Sequence, residues 1–370
     1  MKGVRRRSNA CAGPAAIMTR DRSTVRTGIV GLGNIGQYHA QRLLDIGVTL
    51  VGGVDIDPRA RERFESRYDV PTYDRGEPLY EDADAVVVTT PNEYHEPYAV
   101  EALERDIHVL LEKPLAHTVD SADRIVAAEA ASDAFCMVGF NNRFSNTAGV
   151  VRDRIERGEL GVVRHVEANY VRRRGVPGRG TWFTHQERAG GGALIDLGVH
   201  AIDLALYLLG FPTPSVVLGM ARSDFGRRDD YVFLEMWGED AGGDAFDVDD
   251  SASAFVRTDG DQTISLEVAW ATNRPATHEF VVHGTKAAAR FDLIDHELTI
   301  HRARTNGPAA LEDTSVRTRD VDTHREEQQA FFDAILDDVD VSNVDQALTV
   351  QRVIQAIYRS SERGDAVSIE

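Results

Sequence analysis

From Thr27 to Phe140, short apolar runs alternate with stretches in which apolar residues recur every three or four positions. Residues 27–30, 48–54, 83–90, 107–111 and 135–140 are apolar on both faces, as strands buried within a parallel sheet are. Val70-Pro71-Thr72 is a further short strand candidate. Helical spacing covers residues 35–46, 59–68, a stretch beginning near Tyr94, and 119–131. Asp57 and Pro58 open the second of these as a capping carboxylate and a proline at the first helical position. Such alternation predicts a parallel sheet covered by helices on both faces, with ligands held beyond the carboxyl ends of the strands. After about Asn142 the pattern changes. Helices are expected over 145–157 and 193–209, each closed by a glycine, with a strand over 162–174 between them. From Val216 to His301 the period is mostly two, with turns at 259–260 and 283–284, which predicts a mostly antiparallel sheet. Two helices, 323–337 and 345–359, follow.

The first turn of this pattern carries chemistry. Strand 27–30 runs straight into Gly31-Leu32-Gly33-Asn34-Ile35-Gly36, a helix follows, and the second strand stops at Asp55, followed by Ile56. Gly31 permits the sharp turn, Gly33 leaves room for a pyrophosphate against the backbone, and Gly36 lets the helix lie close on the strand. The helix start at Asn34 and Ile35 turns its N–H groups and positive dipole end toward the phosphates. Asp55, 19 residues after Gly36, stands where a carboxylate accepts hydrogen bonds from the adenosine ribose. A carboxylate there repels a 2′-phosphate, so NAD is the expected cofactor, with NADP possible because Arg59 follows closely. The fold class is therefore α/β: an N-terminal Rossmann dinucleotide-binding domain over residues 25–142 and a C-terminal α+β domain with a large, mostly antiparallel open sheet over 143–370. Residues 1–24 read as a disordered tail, or as a start placed too early with Met18 as the true one. An antiparallel sheet with helices on one face leaves the other to be covered, so a homodimer or homotetramer is expected.

Composition narrows the partners. A net charge of −19 over 370 residues argues against nucleic-acid binding, which needs a basic face. No apolar run approaches the ~20 residues that span a bilayer. Arg5-Arg6-Arg7 raises a twin-arginine export signal, but no apolar stretch long enough for a secretory segment follows it. Cys11 and Cys136 make neither a disulfide framework nor a metal-ligand spacing, so no metal is expected and a reducing cytoplasm fits. The aspartates between Gly238 and Asp250 read as a solvated loop rather than a cation site. Lysine occurs only at positions 2, 113 and 286, among 41 basic residues. An acid excess with almost no lysine points to a halophilic habitat, where salt screens self-repulsion.

Two positions suggest acid–base work. Asp196 and His200 stand four apart on the expected helix 193–209, so they share a face, and a carboxylate one turn before a histidine suits a general base. Gly190-Gly191-Gly192 before that helix suggests a close backbone approach to a cofactor or substrate. Lys113 follows a strongly apolar strand and precedes Pro114, where an ammonium would favour a substrate alkoxide. Arg172-Arg173-Arg174 places the first and third arginines on one face of a strand, suited to a carboxylate or phosphate on a substrate.

These residues together resemble one family. Glu112-Lys113-Pro114, the nucleotide fingerprint, Thr90-Pro91-Asn92 with His95, Gly139-Phe140 with Arg143-Phe144, Gly190-Gly191-Gly192 with Asp196 and His200, and Gly284-Thr285-Lys286 are similar to the glucose–fructose oxidoreductase / inositol dehydrogenase / MocA family, over about residues 25–370. The resemblance implies a dehydrogenase that moves hydride between a nicotinamide and a carbinol of a sugar, cyclitol or sugar derivative, and the open sheet is then the oligomer surface. It implies Lys113 as the substrate-positioning lysine, Asp196 as the motif acid and His200 as the general base. Thr90, Pro91, Asn92, His95 and Glu112 then line the nicotinamide and its ribose, and Arg172, Arg174 and Trp182 contribute substrate contacts. A keto-sugar reductase, an enzyme that retains its cofactor, and a non-catalytic dinucleotide- and sugar-binding sensor are the alternatives.

Overall fold

The structure is a computed structural model that describes residues 20–369 except 235, 237, 239, 244, 245 and 305. The expectations for residues 1–19, including Cys11 and the arginine run, lie outside the described residues, whereas residues 20–24, expected within the tail, are ordered: Arg22–Thr24 form a 3-10 turn capped by Asp21, and Arg22 pairs with Asp333.

Alternation of strand and helix builds the first unit, residues 1–139 with 324–348. Its elements are β1 (Arg26–Val30), α1 (Asn34–Asp45), β2 (Thr49–Val54), α2 (Pro58–Tyr68), β3 (Thr72–Tyr73), α3 (Glu77–Tyr80), β4 (Ala85–Val88), α4 (His95–Leu103), β5 (His108–Leu111), α5 (Val119–Ala131) and β6 (Cys136–Val138). All pair in parallel in the order β3-β2-β1-β4-β5-β6, so the order reverses between β1 and β4. The first turn and the residues after β4 and β5 thus share the carboxyl end of the sheet at that reversal, where such sheets hold ligands. The all-apolar runs are buried throughout β4. Asp57 caps α2 by accepting the Arg59 N–H, with Pro58 at the first position, as expected.

The second unit, residues 140–323 with 349–370, contains α6 (Asn146–Glu156), β7 (Val163–Val171), α7 (Gln186–Ala189), α8 (Val199–Leu209), β8 (Pro214–Arg222), β9 (Ser251–Thr258), β10 (Thr263–Ala269), β11 (Glu279–Gly284), β12 (Ala287–Asp292), β13 (Glu297–Arg304) and β14 (Ala310–Arg317). After α9 (Thr323–Leu336) and α10 (Val344–Arg363), β15 (Val367–Ser368) completes a nine-stranded sheet in the order β14-β13-β12-β11-β7-β10-β9-β8-β15. Among the described residues β7 pairs with β10 in parallel and the other pairs are antiparallel. Alternation in β9 buries Ala252, Ala254 and Val256 on one face and leaves Phe255 48% exposed on the other, beside exposed Leu218 across the strand pair.

Three expectations are corrected here. The single division at residue 142 gives way to a chain that returns: residues 324–348 belong with the first unit. There Phe331 packs edge-on against Phe135 at 5.5 Å, and the Asn343 amide brackets Val138 at the edge of β6, accepting from its N–H and donating to its carbonyl. The period-two stretch from Val216 is interrupted between β8 and β9 by an arm whose described residues within 223–250 form neither helix nor strand. The expectation that no stretch is apolar enough to span a bilayer gives way too: Gln186–Leu209 is long and apolar enough by composition, but 94% of its most apolar 18 residues are buried inside the fold.

Candidate active site

The first unit carries the nucleotide-turn residues. Gly31 turns at φ +94° and donates its N–H to the Val54 carbonyl (2.8 Å). A Cβ on Gly36 would lie 1.9 Å from the Gly31 carbonyl oxygen, so only glycine lets α1 start this close to the turn. Around Gly33, by contrast, a Cβ would meet nothing within 4 Å. That open space at a helix N-terminus is what a pyrophosphate needs. Asp55 is oriented by two backbone donors, Leu32 N–H to Oδ2 and Asp57 N–H to Oδ1, both 2.8 Å. Ile35 and Ile56, 48% and 73% exposed, leave apolar surface uncovered beside this turn. Thr90 Oγ1, after β4, is buried with no partner among the described residues. Open backbone, uncovered apolar side chains and an orphaned hydroxyl at one sheet end fit a dinucleotide.

Beyond β4 and β5 the expected residues divide into two kinds. His95 is 1% exposed and lies between the Pro114 carbonyl (Nδ1, 2.8 Å) and the Thr90 carbonyl (Nε2, 3.0 Å). Burial pushes its pKa down. It therefore acts as a strut tying the Thr90-Pro91 turn to the Lys113-Pro114 turn. Asn92 is buried in the turn between them. Glu112 is held by a residue that the sequence pattern offered only as part of a helical stripe. His39, on α1 and 1% exposed, meets Glu112 Oε1 through Nε2 at 2.7 Å, while the Gln328 side-chain amide meets its Nδ1 at 2.8 Å. Glu112 Oε2 accepts the Lys113 N–H at 3.2 Å. Burial pushes the Glu112 carboxyl up, but the His39 hydrogen bond and the charges of His39, His324 and Lys113 outweigh it and bring the pKa down to about 2. A histidine buried on a nucleotide-binding helix was the available signal for this link.

The second unit carries the acid–base candidates. The expected uniform helix over 193–209 begins instead with a π-turn, Leu194–Gly198, and becomes α8 only at Val199. The four-residue spacing of Asp196 and His200 therefore spans a π-to-α junction, a deviation frequent at functional sites. Asp196 is 8% exposed. Its Oδ2 accepts the Trp270 indole N–H at 2.8 Å, with the Arg172 guanidinium 3.8 Å away. His200 stacks on Tyr170 of β7 at 6.1 Å and 18°, and Tyr170 stacks in turn on His278 at 3.8 Å. Burial, then the Arg172 charge, push the His278 pKa down to about 4.

The glycine triplet lies in close approach to other parts of the second unit. Gly190 is the left-handed cap of α7, a Cβ on Gly191 would lie 2.2 Å from the Tyr358 hydroxyl, and one on Gly192 would lie 1.8 Å from the Asp249 carbonyl oxygen. Asp249 caps the helix: it accepts from Gly192 N–H and Leu194 N–H (2.8 Å each) and from the Tyr358 hydroxyl (2.6 Å). Asp250 is fully buried and accepts from Phe225 N–H and Gly226 N–H. The reading of Gly238–Asp250 as solvated is thus corrected at its last two residues, because unsatisfied backbone donors recruit them inward. Arg172 and Arg174 part company. Arg172 faces Asp196, whereas Arg174 donates to the carbonyls of Arg173 and Thr272 and to Asn273, with its guanidinium 4.6 Å over Phe225. Trp182 stands half-buried on a short 3-10 turn, packed on Phe183. Among the described residues no cluster of side chains suits a metal ion.

Fold and site chemistry together define a dinucleotide-binding oxidoreductase of the Rossmann type. One family profile, described as the oxidoreductase family with NAD-binding Rossmann fold, matches residues 25–140, and another, the GFO/IDH/MocA C-terminal domain, matches residues 150–290. The putative UDP-kanosamine synthase oxidoreductase subunit of Amycolatopsis mediterranei is 35% identical over 73% of this chain and 75% of its own length. D-glucoside 3-dehydrogenase of Escherichia coli is 27% identical over 77% and 79%, and glucose-6-phosphate 3-dehydrogenase of Bacillus subtilis 28% identical over 58% and 63%. The solved structure of levoglucosan dehydrogenase in complex with NADH and L-sorbose shares the fold, with a TM-score of 0.81 at 22% identity, covering 94% of this chain and 99% of that one. The chain belongs to the GFO/IDH/MocA family of oxidoreductases.

Proposed function

We propose that this oxidoreductase uses NAD to oxidise the C3 hydroxyl of a glucose-type sugar or glucoside. Two of the relatives above act, by name, at carbon 3 of a glucose unit, and one carries a uridine diphosphate sugar in its name. The observation that carries the chemistry is the buried Asp196, oriented by the Trp270 indole one turn before His200. When bound, the nicotinamide supplies the hydride acceptor. His200 takes the proton of the reacting hydroxyl. Asp196 orients substrate or imidazole, and the Lys113 ammonium favours the alkoxide form of the hydroxyl. Glu112 and His39 fix the backbone that carries Lys113, and Asp55 receives the adenosine ribose. Arg172 and Trp182 contribute substrate contacts. The enzyme works in the cytoplasm as a homodimer or homotetramer whose partner covers the open sheet face around Phe255 and Leu218.

The test is a 340 nm screen with NAD and NADP against glucose, glucosides, sugar phosphates, nucleotide sugars, uronic acids and inositols, run in both directions, with the oxidised carbon identified by NMR. Turnover with oxidation at C3 is the expected result. Oxidation at another carbon, or rates confined to inositols, would overturn the assignment.

A further inference from the structure

Outside the cluster around Asp196, the second unit holds a cavity of about 280 Å3 lined by Arg174, Phe225, Arg228, Asp230, Tyr231, Val232 and Asn273. Its Arg174 lies on a segment bridged to the one that holds the catalytic acid. Arg174 bridges to Ala271, next to Trp270, whose indole holds Asp196. Arg172, two residues before Arg174, approaches Asp196.

The wall of the cavity is built in advance. Arg179 is 5% exposed and pins the irregular arm: it pairs with Asp240 through Nε and Nη2, and its Nη1 donates to the carbonyls of Gly226 and Arg228. Asp250 accepts the N–H groups of Phe225 and Gly226, and the Tyr231 hydroxyl accepts the Val176 N–H. Phe225 and Tyr231 are thereby fixed without a ligand.

Its charge runs against that of the molecule. In a chain of net charge −19, two guanidinium groups here face one carboxylate. Arg174 spends its donors on two carbonyls and an amide, all neutral. Arg228 pairs with Asp230 in a bond that is 53% and 71% exposed, so the pair is weak and exchangeable. A dianion outbids a single exposed carboxylate for a planar guanidinium fork.

We propose that this cavity is a subsite for an oxyanion substituent of the sugar, a phosphoryl or diphosphoryl group, with Arg174 and Arg228 binding the charge and Phe225 and Tyr231 packing on what it carries. The substrate is then a phosphorylated or nucleotide-linked sugar rather than a free sugar or neutral glucoside. This rests on the reading of the enzyme as a sugar oxidoreductase.

The experiment compares kcat/KM of the full chain with NAD on glucose, methyl glucoside, maltose, glucose 6-phosphate, glucose 1-phosphate and uridine diphosphate glucose, for wild type and for Arg228→Ala, whose side chain is exposed. The phosphorylated class exceeds the neutral class at least tenfold in the wild type, and Arg228→Ala reduces that ratio at least tenfold. The two phosphates and the diphosphate separate a single phosphoryl group from a nucleotide-linked one. Neutral sugars equal to or better than charged ones, maltose as the preferred substrate, or a ratio untouched by Arg228→Ala overturns the subsite. If no sugar turns over, the functional reading fails, and calorimetry of glucose 6-phosphate against glucose on the NADH-bound protein decides the subsite separately: equal affinities, or affinity unchanged in Arg228→Ala, overturn it.

Discussion

Single side chains in this protein are set by their partners as much as by their own chemistry. His200 is the proton acceptor in the proposed reaction, and acid–base steps of this kind contribute about 10²–10⁴ in rate. His200→Ala is therefore expected to lower kcat by about that factor while NADH fluorescence still reports cofactor binding; turnover near wild type would remove His200 from its role. Glu112 shows how a partner sets a charge. Its folded pKa of about 2 lies below its ordinary value of 4.5, so the unfolded chain binds more protons between those limits. The stability it contributes is complete above about pH 4.5 and is lost as pH falls toward 2. Glu112→Gln should melt below wild type at neutral pH, and the gap should narrow through that window. A gap that stays constant with pH would mean the carboxylate is not held as described. Sequence spacing pointed to Asp196 and His200, but not to Trp270 or His39. Those two come from strands and helices far along the chain, and no local pattern couples them to the acids they hold.

At the scale of elements, the device to explain is the N-terminus of the π-turn. A helix start leaves backbone donors unsatisfied. Asp249 supplies the acceptor oxygens from 55 or more residues away, and Tyr358 of α10 donates to one of them. Tyr358→Phe leaves the buried carboxylate one donor short, a loss of about 1–3 kcal/mol in stability. Because that carboxylate sets where Leu194 begins, the same change is expected to lower kcat about tenfold or more with the NAD dissociation constant unchanged. A lower melting temperature with kcat intact would confine the pair to structure. The glycine triplet was legible as a close approach, but only the fold identifies what is approached. The longer helices and the parallel strands were legible to within a few residues, since periodicity and apolar runs reflect burial. The arm between β8 and β9 was not, because its order comes from Arg179 and Asp250 acting across the sequence.

For the whole molecule, two properties follow from surface. The nine-stranded sheet leaves Leu218, Met220 and Phe255 exposed on one face. If a second copy covers that face, Phe255→Asp should shift light-scattering mass from dimer or tetramer toward monomer, and a wild-type monomer would defeat the assignment. The charge of −19 should make stability salt-dependent. A melting temperature that rises from low to molar KCl is expected, and one indifferent to salt would remove the halophilic reading.

By itself the sequence determined the local chemistry: where strands and helices lie, a glycine turn open to a pyrophosphate, an acid at the end of the second strand, and a lysine, an aspartate and a histidine of the right kinds. These are short-range properties, fixed by burial periodicity and backbone geometry within a few residues. The tertiary structure alone decided which groups hold those residues in place. It returned residues 324–348 to the first unit, bent the helix start into a π-turn on a distant carboxylate, and separated Arg172 from Arg174. The physical reason is the same in each case. Buried polar groups must find partners wherever the fold supplies them, and sequence distance places no limit on where that is.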